Sequence, residues 1–321
     1  MRSTAGEGKD KAMSGIHHVT AISGRADRNL DFYTGSLGLR FVKKTVNFDD
    51  PGTYHLYYGD EVGHPGTILT FFPWEHASVG RSGVGHAHLT TFRIPASSLG
   101  YWSHRFIEKG VPHQTPEKRF GDPVLPFTDP DGMRLALVGI AEAGVETGWS
   151  NGDIPAEHAI RGFHGVTLLL EDAAATGAIL DDVLGFTRIG SEGAVSRYRA
   201  TDAGGVVDLR EAKSFLRGAM GRGSVHHIAF RTKDDAAQAA MAARLRDKHG
   251  LQTTEQKDRQ YFRSVYFREP GGVLFEIATD DPGFTIDEPV TALGSDLKLP
   301  RFLEPRRKEI EAVLPPLKEA A

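Results

Sequence analysis

Gly15-Ile16-His17-His18-Val19-Thr20 and Ser224-Val225-His226-His227-Ile228-Ala229-Phe230 are near copies of one phrase, set far apart in the chain. Each places a His-His pair at the head of an apolar run that reads as a strand. A repeated opening raises the question whether the intervening sequence repeats as well. It does so weakly, four times. Strand-like openings recur at 17–22, 88–94, 164–170 and 226–232. Helix-like stretches follow at 25–37, 97–109, 171–184 and 234–249. Each of these runs into a glycine at the position that ends a helix: Gly38, Gly110, Gly185 and Gly250. β-rich runs and a Gly-turn lead to an apolar closing strand, as in Pro65-Gly66-Thr67-Ile68-Leu69-Thr70 and Gly271-Gly272-Val273-Leu274-Phe275-Glu276. Every unit therefore reads as β-α-β-β-β.

The expected fold class is α+β, with four βαβββ modules curling into two cupped-sheet domains. Residues 1–14 are expected to be a disordered tail. Residues 15–140 should form a first domain from modules one and two. Residues 141–161, rich in Gly, Ala and Glu, read as a linker. Residues 162–280 should form a second domain from modules three and four. Residues 281–321 read as a Pro-containing tail with a short helix at 304–313.

Composition narrows the function classes. The chain has 321 residues, 40% of them apolar and 25% charged, with a net charge of −4. That charge offers no basic field for nucleic acid and no polybasic membrane patch. No stretch approaches the roughly 18–20 apolar residues that span a bilayer. The first residues are polar and lack a signal-type apolar core, which points to the cytoplasm. There is no cysteine. A metal would therefore be held by N and O ligands alone.

Comparing the modules narrows the candidate ligands. The second histidine of the opening pair is His18 in module one and His227 in module four. Module three has Gly165 there, and His88 of module two is one residue out of register. The closing strands read Thr70, Ala136, Leu209 and Glu276 at the matching position, so only the fourth is expected to keep a carboxylate. Burying Glu276 within Val-Leu-Phe-Glu-Ile would cost several kcal/mol without a partner. A divalent cation removes that cost by stabilising the ionised form. His18, His227 and Glu276 are thus the expected metal ligands, and two histidines with one carboxylate favour non-haem Fe(II) over a closed zinc site. Thr20 should share the face of His18. Strand alternation would turn His17 and His226 away from it.

These phrases resemble the vicinal oxygen chelate superfamily, whose modules build glyoxalase I, extradiol dioxygenases and antibiotic-resistance proteins. More narrowly, the chain resembles the ring-cleaving dioxygenases that act on hydroquinones. Tyr54-His55-Leu56-Tyr57-Tyr58, Ala159-Ile160-Arg161-Gly162-Phe163-His164 and Asp258-Arg259-Gln260-Tyr261-Phe262 carry the likeness together with the openings and Pro270–Glu276. The resemblance implies Fe(II) on His18, His227 and Glu276, with Mn(II) fitting the same ligands. It implies catalytic roles for His17, Thr20, His226, Arg259 and Tyr266, against the alternation argument for two of them. It further implies an extradiol-type or hydroquinone dioxygenase that takes O2 and an aromatic diol, with His226 or Tyr266 as proton donor. Two other readings fit the same fold: a glyoxalase-like isomerase or thiol transferase, and a non-catalytic binder of an aromatic drug. The sequence leaves open whether the chain forms a homo-oligomer and whether the ring is a hydroquinone or a catechol.

Overall fold

The computed structural model describes residues 15–200 and 205–317. The expected tail at 1–14 lies outside the described residues. Module one supplies β1 (Ile16–Ser23), β2 (Arg40–Asn47), β3 (Asp50–Gly59) and β4 (Ile68–Pro73). Module two supplies β5 (His86–Pro95), β6 (Glu117–Arg119), β7 (Asp122–Thr128) and β8 (Arg134–Ile140). Module three supplies β9 (Phe163–Leu170), β10 (Thr187–Glu192), β11 (Val195–Arg199) and β12 (Val206–Glu211). Module four supplies β13 (Ser224–Thr232), β14 (Lys257–Asp258), β15 (Arg263–Arg268) and β16 (Leu274–Thr279).

A helix follows each opening strand. These are α1 (Ala26–Leu30, continuing as a π-turn through Ser36), α2 (Leu99–Glu108), α3 (Ala174–Asp182) and α4 (Asp235–His249). The four expected terminators, Gly38, Gly110, Gly185 and Gly250, all take left-handed φ values of 67°, 66°, 73° and 64°. A side chain there would meet its own carbonyl, so glycine ends each helix. Asp234 caps α4 by accepting from the Ala237 N–H at 2.8 Å. The tail carries 3-10 turns at Phe284–Ile286, Val290–Ala292 and Glu304–Arg306, the last running into α5 (Arg307–Val313).

Strand pairing corrects the expected grouping of modules. One eight-stranded sheet runs β14-β15-β16-β13-β1-β4-β3-β2, and the other runs β10-β11-β12-β9-β5-β8-β7-β6. Module one therefore shares a cup with module four, and module two shares one with module three. Antiparallel pairs join the halves: β1 with β13 and β5 with β9. Chain connection explains the exchange. The stretch leading from β4 to β5 bridges the stretch leading from β12 to β13 at Val79–Arg222, Arg81–Ala219 and Val84–Arg217. The chain leaves the first cup and returns to it along one two-stranded ribbon. The segment 141–161 meanwhile turns the chain back so that β9 lies beside β5. It is packed rather than loose, with Ile154 and Ile160 buried and the Arg161 guanidinium on three backbone carbonyls.

The tail closes the open edge of the first sheet. Lys298 N–H donates to Lys44 O of β2 at 2.9 Å, and the fully buried Lys43 ammonium sits on Asp287 (2.5 Å) and Glu288. Covering an edge strand removes a site for wrong pairing.

Candidate metal centre

Register places the three expected ligands together. β1 and β13 lie side by side, and β16 runs parallel to β13 with Glu276 opposite Ala229. Alternation then puts His18, His227 and Glu276 on one face of one sheet. His18 Nε2 and His227 Nε2 are 3.3 Å apart, and they lie 3.4 and 2.9 Å from Glu276 Oε2. All three residues are buried. Ser264 Oγ donates to Glu276 Oε1, while Oε2 accepts no well-aligned hydrogen bond. Burial pushes the Glu276 carboxyl up, but His18 and His227 outweigh it and hold the group well below its usual range. A buried carboxylate oxygen that faces two imidazole nitrogens is a set of donors that suits a divalent cation.

His17 and His226 depart from alternation, and the β-ladder shows why. In the β1–β13 pair, Ile16 faces Phe230 and His18 faces Ala229, so His17 is an extra residue. At the other end Thr20 faces His227 and Ala21 faces Val225, so His226 is extra. Both are bulges, which re-aim side chains. Each bulged ring turns back onto its neighbour: His17 Nδ1 lies 2.9 Å from His18 Nδ1, and His226 Nδ1 lies 2.8 Å from His227 Nδ1. His18 and His227 are thereby held at Nδ1 and present Nε2 to Glu276.

The remaining predicted residues divide. Tyr266 stands opposite Glu276 in the β15–β16 pair and accepts from Arg259 Nε at 3.2 Å. Arg259 also donates to Asp49 Oδ2 at 2.8 Å. It rides on a turn in which Gln260 has a φ of 68°, tied down by Gln260 Nε2 and Tyr261 OH, both donating to Asp287. Burial, followed by Glu276, raises the Tyr266 phenol well above its usual value. Thr20 lies on the His18 face but is wholly buried, accepting from Thr70 Oγ1 at 2.8 Å. Neither Thr20 nor His17 borders the cavity above the centre.

That cavity measures about 320 Å3. His18, His227, His226, Arg259 and Tyr266 border it, with Phe72, Trp74 and Phe262 as aromatic walls. Sequence reasoning assigned no role to His55 and Tyr57, which also border it. His55 Nε2 lies 2.8 Å from Thr70 Oγ1, and Tyr57 OH lies 2.8 Å from His55 Nδ1. The signal was available: two polar aromatic residues, two apart on one strand, share the face of Thr70.

The register also corrects one expected position. Thr70 lies opposite Thr20 and Glu276 opposite Ala229, each two residues beyond the ligand histidine. By the same rule Thr91 meets Ala136, and Thr167 meets Asp208. The third module thus holds Asp208, not Leu209, at the position of Glu276. That carboxylate is taken by Arg197, whose Nε and Nη2 each lie 2.8 Å from it.

A family model for the Glyoxalase/Bleomycin resistance protein/Dioxygenase superfamily matches residues 15–137 and 162–277. The chain belongs to that superfamily. It is 47% identical over 307 residues to MhqO of Bacillus subtilis (strain 168), a protein named as a ring-cleaving dioxygenase, covering 95% of this chain and 97% of that one. It is 35% identical over 308 residues to the chlorohydroquinone/hydroquinone 1,2-dioxygenase of Sphingobium indicum, covering 93% and 95%. A crystal structure named as a dioxygenase from Bacillus subtilis superposes with a TM-score of 0.91 at 46% identity, covering 96% of this chain and 98% of that one. Glyoxalase I from Zea mays shares the fold, with a TM-score of 0.62 at 15% identity over 84% and 93%. Each matched segment contributes one module to each sheet.

Proposed function

We propose that this superfamily member is an Fe(II)-dependent ring-cleaving dioxygenase acting on a hydroquinone-type aromatic. The observation that carries the reading is the buried His18–His227–Glu276 set beneath an aromatic-walled cavity of about 320 Å3. The relatives named as ring-cleaving and hydroquinone dioxygenases support it. Fe(II) held by these three side chains would supply open coordination positions and the redox chemistry that O2 requires; Mn(II) suits the same donors.

The chain's own residues have assignable tasks. Phe72, Trp74 and Phe262 hold a planar ring and exclude water. Arg259, anchored by Asp49, stabilises negative charge on a substrate oxygen. Tyr266 keeps its phenolic proton because burial disfavours the phenolate, so it can donate from Oη. Burial, followed by His227, holds His226 down to about 3, so it stays neutral and orients His227 rather than supplying a proton. Tyr57 Oη, steadied by His55, offers a hydrogen-bonding atom in the same cavity for a second ring hydroxyl.

The test is O2 uptake by anaerobically Fe(II)-loaded protein with methylhydroquinone, chlorohydroquinone and catechol in parallel. Uptake with a hydroquinone, abolished by Glu276→Ala, is the expected result. Uptake with catechol alone would overturn the hydroquinone assignment. Bound metal with no uptake would overturn the dioxygenase.

A further inference from the structure

The second cup has lost the triad but kept a cavity. It encloses about 600 Å3, against about 320 Å3 above the triad. Leu89 and Gly165 stand where His18 and His227 stand in the first cup, as the β5–β9 register shows. Asp208, at the position of Glu276, is neutralised by Arg197. The floor therefore offers nothing to a cation.

The rim offers a good deal to an anion. Arg119, Arg134 and Arg210 border the cavity. Arg119 has Glu117 beside it. Among the described residues, no carboxylate lies within ion-pair distance of Arg134 or Arg210, and Arg134 makes its hydrogen bond to His88 Nε2 at 3.2 Å. Burial, and then Arg134, Arg210 and Arg119, hold His88 down to about 4. The three guanidiniums thus act on one point of the wall. Glu192, the rim carboxylate, accepts from the Phe120 N–H. Phe120 lies at the tip of the β6–β7 hairpin with its ring 3.9 Å from the Arg197 guanidinium carbon. Leu89, Pro126 and Phe127 make an apolar wall below the charged rim.

We propose that this second cup binds a small organic anion with a planar apolar body, such as an aromatic or unsaturated carboxylate. The carboxylate lies on Arg134 and Arg210, whose planar donors match it. The body lies on Phe127 and Leu89.

Isothermal titration of the full-length protein with benzoate, and with benzyl alcohol as its neutral counterpart, tests this. Benzoate is expected to bind at one site per chain in the second cup. The Arg134→Gln/Arg210→Gln double variant should weaken binding about tenfold or more, because it removes two charged hydrogen-bond donors. Both arginines are exposed, so the variant should keep the wild-type melting transition. His227→Ala should leave this site unchanged, and any second site above the triad should vanish in it. Absence of saturable binding, equal binding of benzyl alcohol, full affinity in the double arginine variant, or loss of all binding in His227→Ala would each overturn the proposal. The inference stands apart from the dioxygenase reading, since it uses none of that site's residues.

Discussion

A bulged histidine precedes the ligand position in every module. His17 and His226 are the extra residues of the β1–β13 ladder, and His88 and His164 are those of β5–β9. The following residue is His, Leu, Gly or His, so only in the first cup does the bulged histidine precede another histidine. There the bulged ring engages its neighbour at Nδ1. Replacing His226 by alanine should weaken metal affinity about 10- to 100-fold without removing a ligand. Chelator competition would measure it, and unchanged affinity would show that the Nδ1 contact is incidental.

In the second cup the bulged histidine has a different consequence. His164 is 7% exposed, and burial followed by Arg197, Arg199 and Arg93 lowers it from 6.5 to about 3. The folded state therefore binds its proton less well than the unfolded chain. Its contribution is full above about pH 6.5 and falls as pH drops toward 3, by about 1.4 kcal/mol per unit. Urea midpoints taken from about pH 7 to about pH 4 should fall more steeply for the native protein than for His164→Gln. Parallel curves would show that this histidine gains its proton without cost. That His18, His227 and Glu276 meet was legible in the sequence because an isolated carboxylate in an apolar strand is conspicuous. The roles of the bulged residues were not, since a bulge depends on pairing with a strand distant in sequence.

At the scale of elements, the tail supports the site. Lys43 of β2 is fully buried against Asp287 and Glu288, and Asp287 also holds the turn that carries Arg259. Removing one member of a buried ionic cluster leaves the others uncompensated. Lys43→Met should lower unfolding free energy by about 3–5 kcal/mol in urea titrations. A loss below 1 kcal/mol would mean that the two carboxylates find water instead. The helices were readable from their terminating glycines, since only a residue without Cβ takes that turn cheaply. The assignment of Leu209 in place of Asp208 had an equally simple origin. Both follow the Gly-turn of module three, and only the ladder fixes which of them faces Thr167.

At the scale of the molecule, the repeat was legible but its pairing was not. Adjacent modules are the default partners. Here the two inter-module crossings travel together as one ribbon, so outer modules pair with each other and inner modules do the same. The ligand set already contained the answer: His18 and Glu276 cannot hold one ion from separate cups. Residues 1–150 and 151–321, made separately, should each expose an unpaired β1 or β13 edge and bind no metal. Co-expressed, they should associate and recover the site, read by co-purification and metal content. A half that folds alone as a monomer and binds metal would contradict the shared sheet.

On the proposed function, the triad beneath the aromatic cavity cleaves a ring with O2. Mass spectrometry of the product formed from methylhydroquinone by the Fe(II)-loaded protein tests it most directly. Ring cleavage gives a product heavier than the substrate by one whole O2, at one O2 consumed per ring, and none from Glu276→Ala. A product lighter by two hydrogens, the quinone, would show simple oxidation in place of ring cleavage and overturn the proposed function.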